Sequence, residues 1–183
     1  MLDLTEDNFF DHLLDAERRR TLAEALRAEQ GSHLPLNWRY GDLAHAATDA
    51  DRLGRAVFAL LEEMPPGDGP EDDQPEDLLD DLLMNPHTPE DALWAAYRRG
   101  RGITPLGHRR GPRALLEALA EEHGYSEAVV TLALHHYADE DDAAFRRFVE
   151  RHRGDFMLRS NLRHYKHLPE GKRALVADLL EEE

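Results

Sequence analysis

The sequence predicts an all-α protein built of stacked helical hairpins, and three observations carry that prediction. Ala, Leu, Glu and Arg, all strong helix formers, dominate the chain. Apolar residues recur at the three- and four-residue spacing of a helix face, and no uninterrupted run keeps the period of two that a half-buried strand needs. Turn residues then punctuate these stripes at helix ends. At 183 residues with 41% hydrophobic residues, the chain is long enough for one sizeable core or two small ones.

The first stripe follows Thr5-Glu6-Asp7-Asn8, a helix start, and consists of Phe9, Phe10, Leu13 and Leu14. Arg18, Arg19 and Arg20 join it to a second stripe of Leu22, Ala25 and Leu26, as one bent helix or two consecutive ones, ending at Gly31-Ser32. In the next segment Leu34, Leu36, Trp38 and Tyr40 alternate like a strand, but Pro35 and Gly41 interrupt them. An irregular turn and a short helix over 42–47 are expected there. Asp49 or Asp51 then caps a helix with a core face of Leu53, Val57, Leu60, Leu61 and Met64.

Residues 65–75, PPGDGPEDDQP, read as a linker or surface loop, because Pro and Gly oppose regular structure and the acids gain nothing by burial. They divide the chain into an N-terminal helical segment, 1–64, and a helical-repeat-like region, 76–183. The first part is small to fold alone, so one body is expected.

The organising element is LLDDLLMNPHTPEDALWAAYRRG, residues 78–100. Pro86 biases Asn85 out of the α region and stops one helix. Thr88 offers an N-cap hydroxyl to the next, with Pro89 in its first position and Glu90 and Asp91 at the positive end of its dipole. A Gly- and Arg-rich loop over 100–112 follows. Helices are then expected over 113–123, 126–137, 141–152 and 155–165, and a last one after Leu168-Pro169-Glu170.

The hairpin junction returns along the chain. HTPEDALWAAY from 87, YSEAVVTLALHHY from 125 and HLPEGKRALVADLL from 167 each place a turn, an acid and an apolar helix, 38 and 42 residues apart. This resembles the junctions of bacterial HEAT-like or variant leucine-rich helical repeats, within residues 78–183. The resemblance implies a HEAT-like right-handed α-solenoid that binds a partner on its concave face. An irregular helical bundle is the alternative. The resemblance carries over no catalytic residue.

Charge narrows the function classes. Against 38 Asp and Glu there are 22 Lys and Arg, a net charge of -16. Residues 56–97 carry 12 acids and no Lys or Arg, whereas residues 98–113 carry 6 Arg and no acid. Such a chain repels nucleic acid and anionic membranes and favours a basic partner. Solubility alone also accounts for an acidic surface. There is no cysteine, hence no disulfide, thiolate metal site or cysteine nucleophile. The acidic N-terminus and the lack of a long apolar run predict neither leader nor membrane span and a cytoplasmic location.

Three candidate sites follow. The acidic run Asp72, Asp73, Glu76 and Asp77, with the aromatic pair Trp94 and Tyr97, is the candidate partner-binding surface. It suits a non-enzymatic protein–protein interaction module, for instance an inhibitor or immunity protein for a partner with a basic surface. His136 and Glu140 stand four apart, a spacing used in helical-bundle metal sites, so a metal-binding protein or metal-dependent enzyme is the alternative. A histidine at a helix C-terminus explains the same residues without metal. Arg98, Arg99, Arg101, Arg109 and Arg110, on a Gly-rich loop beside aromatics, form a third candidate, for an anion or nucleic acid. Neutralising the neighbouring acids is their structural explanation. No Ser-His-Asp arrangement, P-loop, Rossmann glycine pattern or HExxH is present, and no cofactor is implied.

Overall fold

The computed structural model describes residues 2–28, 35–64, 78–108 and 111–181, and among these all regular structure is helical. The all-α class is thus the observed one, with twelve α-helices among the described residues. The proline-rich segment 65–75 lies outside the described residues.

The chain forms two compact units, Met1–Leu106 and Gly107–Glu183. The first contains α1 (Phe9–Leu14), α2 (Ala16–Ala28), α3 (Pro35–Ala46), α4 (Ala50–Glu63), α5 (Leu79–Met84) and α6 (Glu90–Arg98). The short α7 (Ile103–His108) crosses the boundary. The second unit holds α8 (Arg113–Glu122), α9 (Ser126–His135), a 3-10 turn (Tyr137–Asp139), α10 (Asp142–Arg151), α11 (Phe156–His164) and α12 (Glu170–Glu181).

In the first unit α4 is the central helix, packing on α1, α5 and α6. Its stripe Leu53, Val57, Leu60 and Leu61 is buried as its spacing requires. Asp49 caps it, accepting from the Arg52 amide at 3.0 Å. The N-terminal segment resolves into two helices rather than one bent one. Asp15 makes the break, its carboxylate accepting from the Glu17 and Arg18 amides at 3.1 and 2.9 Å.

Arg19, from the Arg triplet, is buried and fixes the end of α4 to this pair. Its guanidinium donates to Glu63 from Nε at 3.0 Å and from Nη2 at 2.6 Å, and from Nη1 to the Leu13 carbonyl. That bidentate bond holds the Glu63 carboxyl below its ordinary value of 4.5. A depressed carboxyl pKa adds stability above the unfolded value, lost as pH falls through the folded one. Glu63→Gln should therefore cost about 1 kcal/mol near neutrality, Glu63 being partly solvated. In urea titrations this difference should shrink below pH 4.5. A difference independent of pH would mean that the pair adds nothing through charge.

The two helices expected within 78–98 form, and both pack on α4, but the turn between them is held differently. Asn85 is fully buried, and its amide donates to the carbonyls of Ala44 at 2.5 Å, Ala47 at 2.8 Å and His45 at 3.3 Å. Its side-chain oxygen accepts from the His87 amide at 2.7 Å. One residue thus closes the C-terminus of α3 and shapes the turn between α5 and α6. Thr88 is not the expected hydroxyl cap. Its Oγ1 donates back to the Leu82 carbonyl, and Pro89 occupies the cap position in extended conformation.

Two further expectations are corrected. Residues 35–46 are one helix, not an irregular turn and a short helix. Leu36, Tyr40, Leu43 and Ala44 are all buried and stand at helical spacing, and Pro35 is tolerated at the first helical position. The Gly-Arg loop contains α7, with Pro105 in its first turn, where an amide hydrogen is dispensable. Gly100 and Gly102 have φ of 65° and 60°, left-handed values at the exit from α6.

In the second unit α8 and α9 form a hairpin, α9 and α12 pack on α11, and α10 packs on α12. Leu116, Leu132, Phe145, Leu158 and Val176 are buried in its core. Asp141 and Asp155 cap α10 and α11, accepting from Ala144 and Leu158 amides at 2.8 and 2.9 Å.

Candidate functional site

The outward face of α3 and the start of α5 form the candidate site in the first unit. The inward stripe of α3 fixes that face. Tyr40 is completely buried against Phe9, with ring centroids 5.6 Å apart, and its hydroxyl donates to the Leu78 carbonyl at 2.5 Å. This bond ties α3 to the beginning of α5, whose first turn carries Asp80 and Asp81. Gly41 lets the two helices approach closely. A Cβ built there would lie 3.3 Å from the Asp81 carboxylate. His45, one turn on, has its Nε2 3.4 Å from the same carboxylate.

Trp38, Gly41, Asp42 and His45 fall at i, i+3, i+4 and i+7, so they share one helix face. Trp38 is 73% exposed, and Asp42 is exposed one turn beyond it. The face therefore combines a solvated indole with Asp42, Asp80 and Asp81. Burial first, and then Asp81 and Asp80, push the Tyr40 phenol well above 10.0.

The candidates named from sequence fare unevenly. Asp72, Asp73, Glu76 and Asp77 lie outside the described residues. Trp94 and Tyr97 meet edge to face with centroids 5.5 Å apart, and the Trp94 indole donates to Glu90 at 3.2 Å. Both are half-buried in their own helix rather than presented as a pair to solvent. Of the arginine loop, Arg98 is exposed, Arg101 is buried, and Arg99 donates to the Met64 carbonyl at 3.4 Å, at the end of α4. Arg109 and Arg110 lie outside the described residues.

His136 and Glu140 do not share a helix. α9 ends at His135, His136 is its cap, and a 3-10 turn intervenes before Glu140. The Glu140 carboxylate instead accepts from Arg113, which also donates to Glu117 at 2.6 Å. The Arg113 guanidinium lies 4.3 Å over the Tyr137 ring, which stacks on Phe148 at 4.2 Å. The bonds to Glu117 and Glu140 raise the Arg113 pKa further above its already high value. Lys172 is buried beside this network, donating to the Glu140 carbonyl at 2.7 Å and pairing with Asp142 at 2.9 Å. His136 Nε2 is buried without a hydrogen-bond partner, and among the described residues no group of three or more His, Asp or Glu is placed to hold a metal ion.

In the sequence the interrupted alternation of Leu34, Leu36, Trp38 and Tyr40 hides Trp38 as a surface residue, because an irregular turn there assigns it no face. The signal was present: at helical spacing, Leu36, Tyr40, Leu43 and Ala44 leave Trp38 outside the stripe. No helix among the described residues is long and apolar enough to cross a membrane. No known protein family, curated protein or solved structure matches the chain.

Proposed function

We propose that the chain is a non-enzymatic, all-helical interaction module that binds a basic protein through the α3–α5 face. The observation that carries this reading is Trp38, a large indole held in solvent by a helix whose other large hydrophobic side chains, Leu36, Tyr40 and Leu43, are buried. Tryptophan is the residue type most enriched among the energetic centres of protein interfaces. Asp42, one turn from it, and Asp81, beside Gly41, on a chain of net charge -16, favour a cationic partner. The HEAT-like stacking suggested by the three junctions belongs to this reading, since hairpin stacks offer helix faces to partners.

A photo-crosslinking residue at position 46, exposed on the same side of α3, tests the proposal in the native source, with position 55 on α4 as control. A basic protein captured at 46 and not at 55 is the expected result. With that protein purified, Trp38→Ala should weaken binding about 30-fold, the effect of losing a central aromatic of about 2 kcal/mol. Asp42→Asn should reduce the salt dependence of binding. Identical products at both positions, or undiminished binding by Trp38→Ala, would overturn the reading.

A further inference from the structure

A cavity of about 470 Å³ opens between the end of α11 and the length of α12. Its apolar part consists of Leu162 from α11 and Val176, Ala177 and Leu180 from α12, with Leu162, Val176 and Leu180 buried. Four cationic or titratable side chains surround this floor: Arg163, His164, Lys166 and Arg173. Among the described residues no acidic side chain lines the cavity. Tyr165 stands beside it, its ring edge-on to His135 and His167 at 6.4 and 5.7 Å.

The charge of this cavity runs against the rest of the chain. Acids outnumber Lys and Arg 38 to 22, and several cations elsewhere pair with them: Arg18 with Asp11, Arg19 with Glu63, Arg146 with Glu150, Arg151 with Glu121 and Lys172 with Asp142. Among the described residues, Arg163, Lys166 and Arg173 make no ion pair. Arg163 donates only to the Leu180 carbonyl, at a long 3.5 Å. Residues 156–169 contain Arg159, Arg163 and Lys166 and no acid, a second basic island beside the one at 98–113. Like charges gathered over an apolar floor repel one another, and an anion would relieve that repulsion.

We propose that this cavity binds a small amphipathic anion, with a phosphate or carboxylate head on an apolar tail. The arginine forks and Lys166 match the head, and the Leu162–Val176–Leu180 floor takes the tail. The volume lies in the range of small-molecule sites, which are apolar with a few placed polar groups. Charge complementarity selects the anion, and the floor selects against inorganic phosphate alone. The site lies within the second unit and does not depend on the Trp38 face.

Octyl phosphate is the probe, titrated into the full chain while the methyl signals of Val176 and Leu180 are followed by NMR. Saturable shifts at those methyls are expected, with a Kd below about 1 mM. Neutral octyl glucoside and inorganic phosphate should each bind at least about tenfold more weakly, since each satisfies only half of the cavity. Lys166→Gln and Arg173→Gln, neither of which removes a contact within the fold, should together weaken octyl phosphate at least about tenfold, while Arg55→Gln should not. Equal affinity for octyl glucoside would overturn the proposal. So would shifts unaffected by the double variant, or association with phosphatidic acid vesicles without saturable binding of the soluble probe.

Discussion

Asn85→Ala should destabilise the first unit by about 3 kcal/mol, a large loss for a change of one polar side chain. The side chain is fully buried and serves the carbonyls of Ala44, His45 and Ala47 together with the His87 amide. Truncation leaves those groups in a site that water does not reach freely, and each unsatisfied group costs about 1–3 kcal/mol less whatever relaxation recovers. Asn85→Asp separates hydrogen bonding from size. It preserves the volume but sets a carboxylate against carbonyl oxygens, so it should be more damaging than Ala at neutral pH. Urea unfolding and amide exchange across α3, α5 and α6 would measure both. If Asp were tolerated better than Ala, packing volume rather than the donated bonds would be what Asn85 supplies.

Gly102→Ala should cost about 3 kcal/mol from two separable causes. The residue has φ of 60°, where a side chain is strained by about 1–2 kcal/mol. A Cβ there would also overlap the Leu83 side chain, which is fully buried and cannot swing away. Gly124 supplies the control, with φ of 62° and nothing within 4 Å of its would-be Cβ. Gly124→Ala should show the backbone cost alone, about 1–2 kcal/mol in the second unit. Leu83→Ala is damaging by itself, yet combined with Gly102→Ala the total should fall short of the sum, because the clash has gone. Strict additivity would show that Leu83 and Gly102 do not interact. Gly102 is thereby a structural glycine in a loop whose Gly-Arg composition, read from sequence, suggested anion binding.

What the sequence determined by itself is the class and the local punctuation. Helical periodicity gave α4 and its buried stripe, and the chemistry of Asn85-Pro86, Asp49 and Asp141 gave helix ends, because these depend on neighbours within a turn or two. The break at Asp15 and the helix over 35–46 were equally local, but competing patterns of Arg and of alternating apolar residues obscured them. Which groups meet was decided by tertiary structure alone. Asn85 reaches carbonyls some forty residues earlier, Arg113 takes the Glu140 that its spacing offered to His136, and Arg19 is buried by a carboxylate at the far end of α4. A carboxylate in a sequence with 38 of them has no identifiable partner until the fold sets distances, because ion pairing and hydrogen bonding act over a few ångströms. The gathering of Arg163, Lys166 and Arg173 over an apolar floor likewise emerged only when α11 met α12.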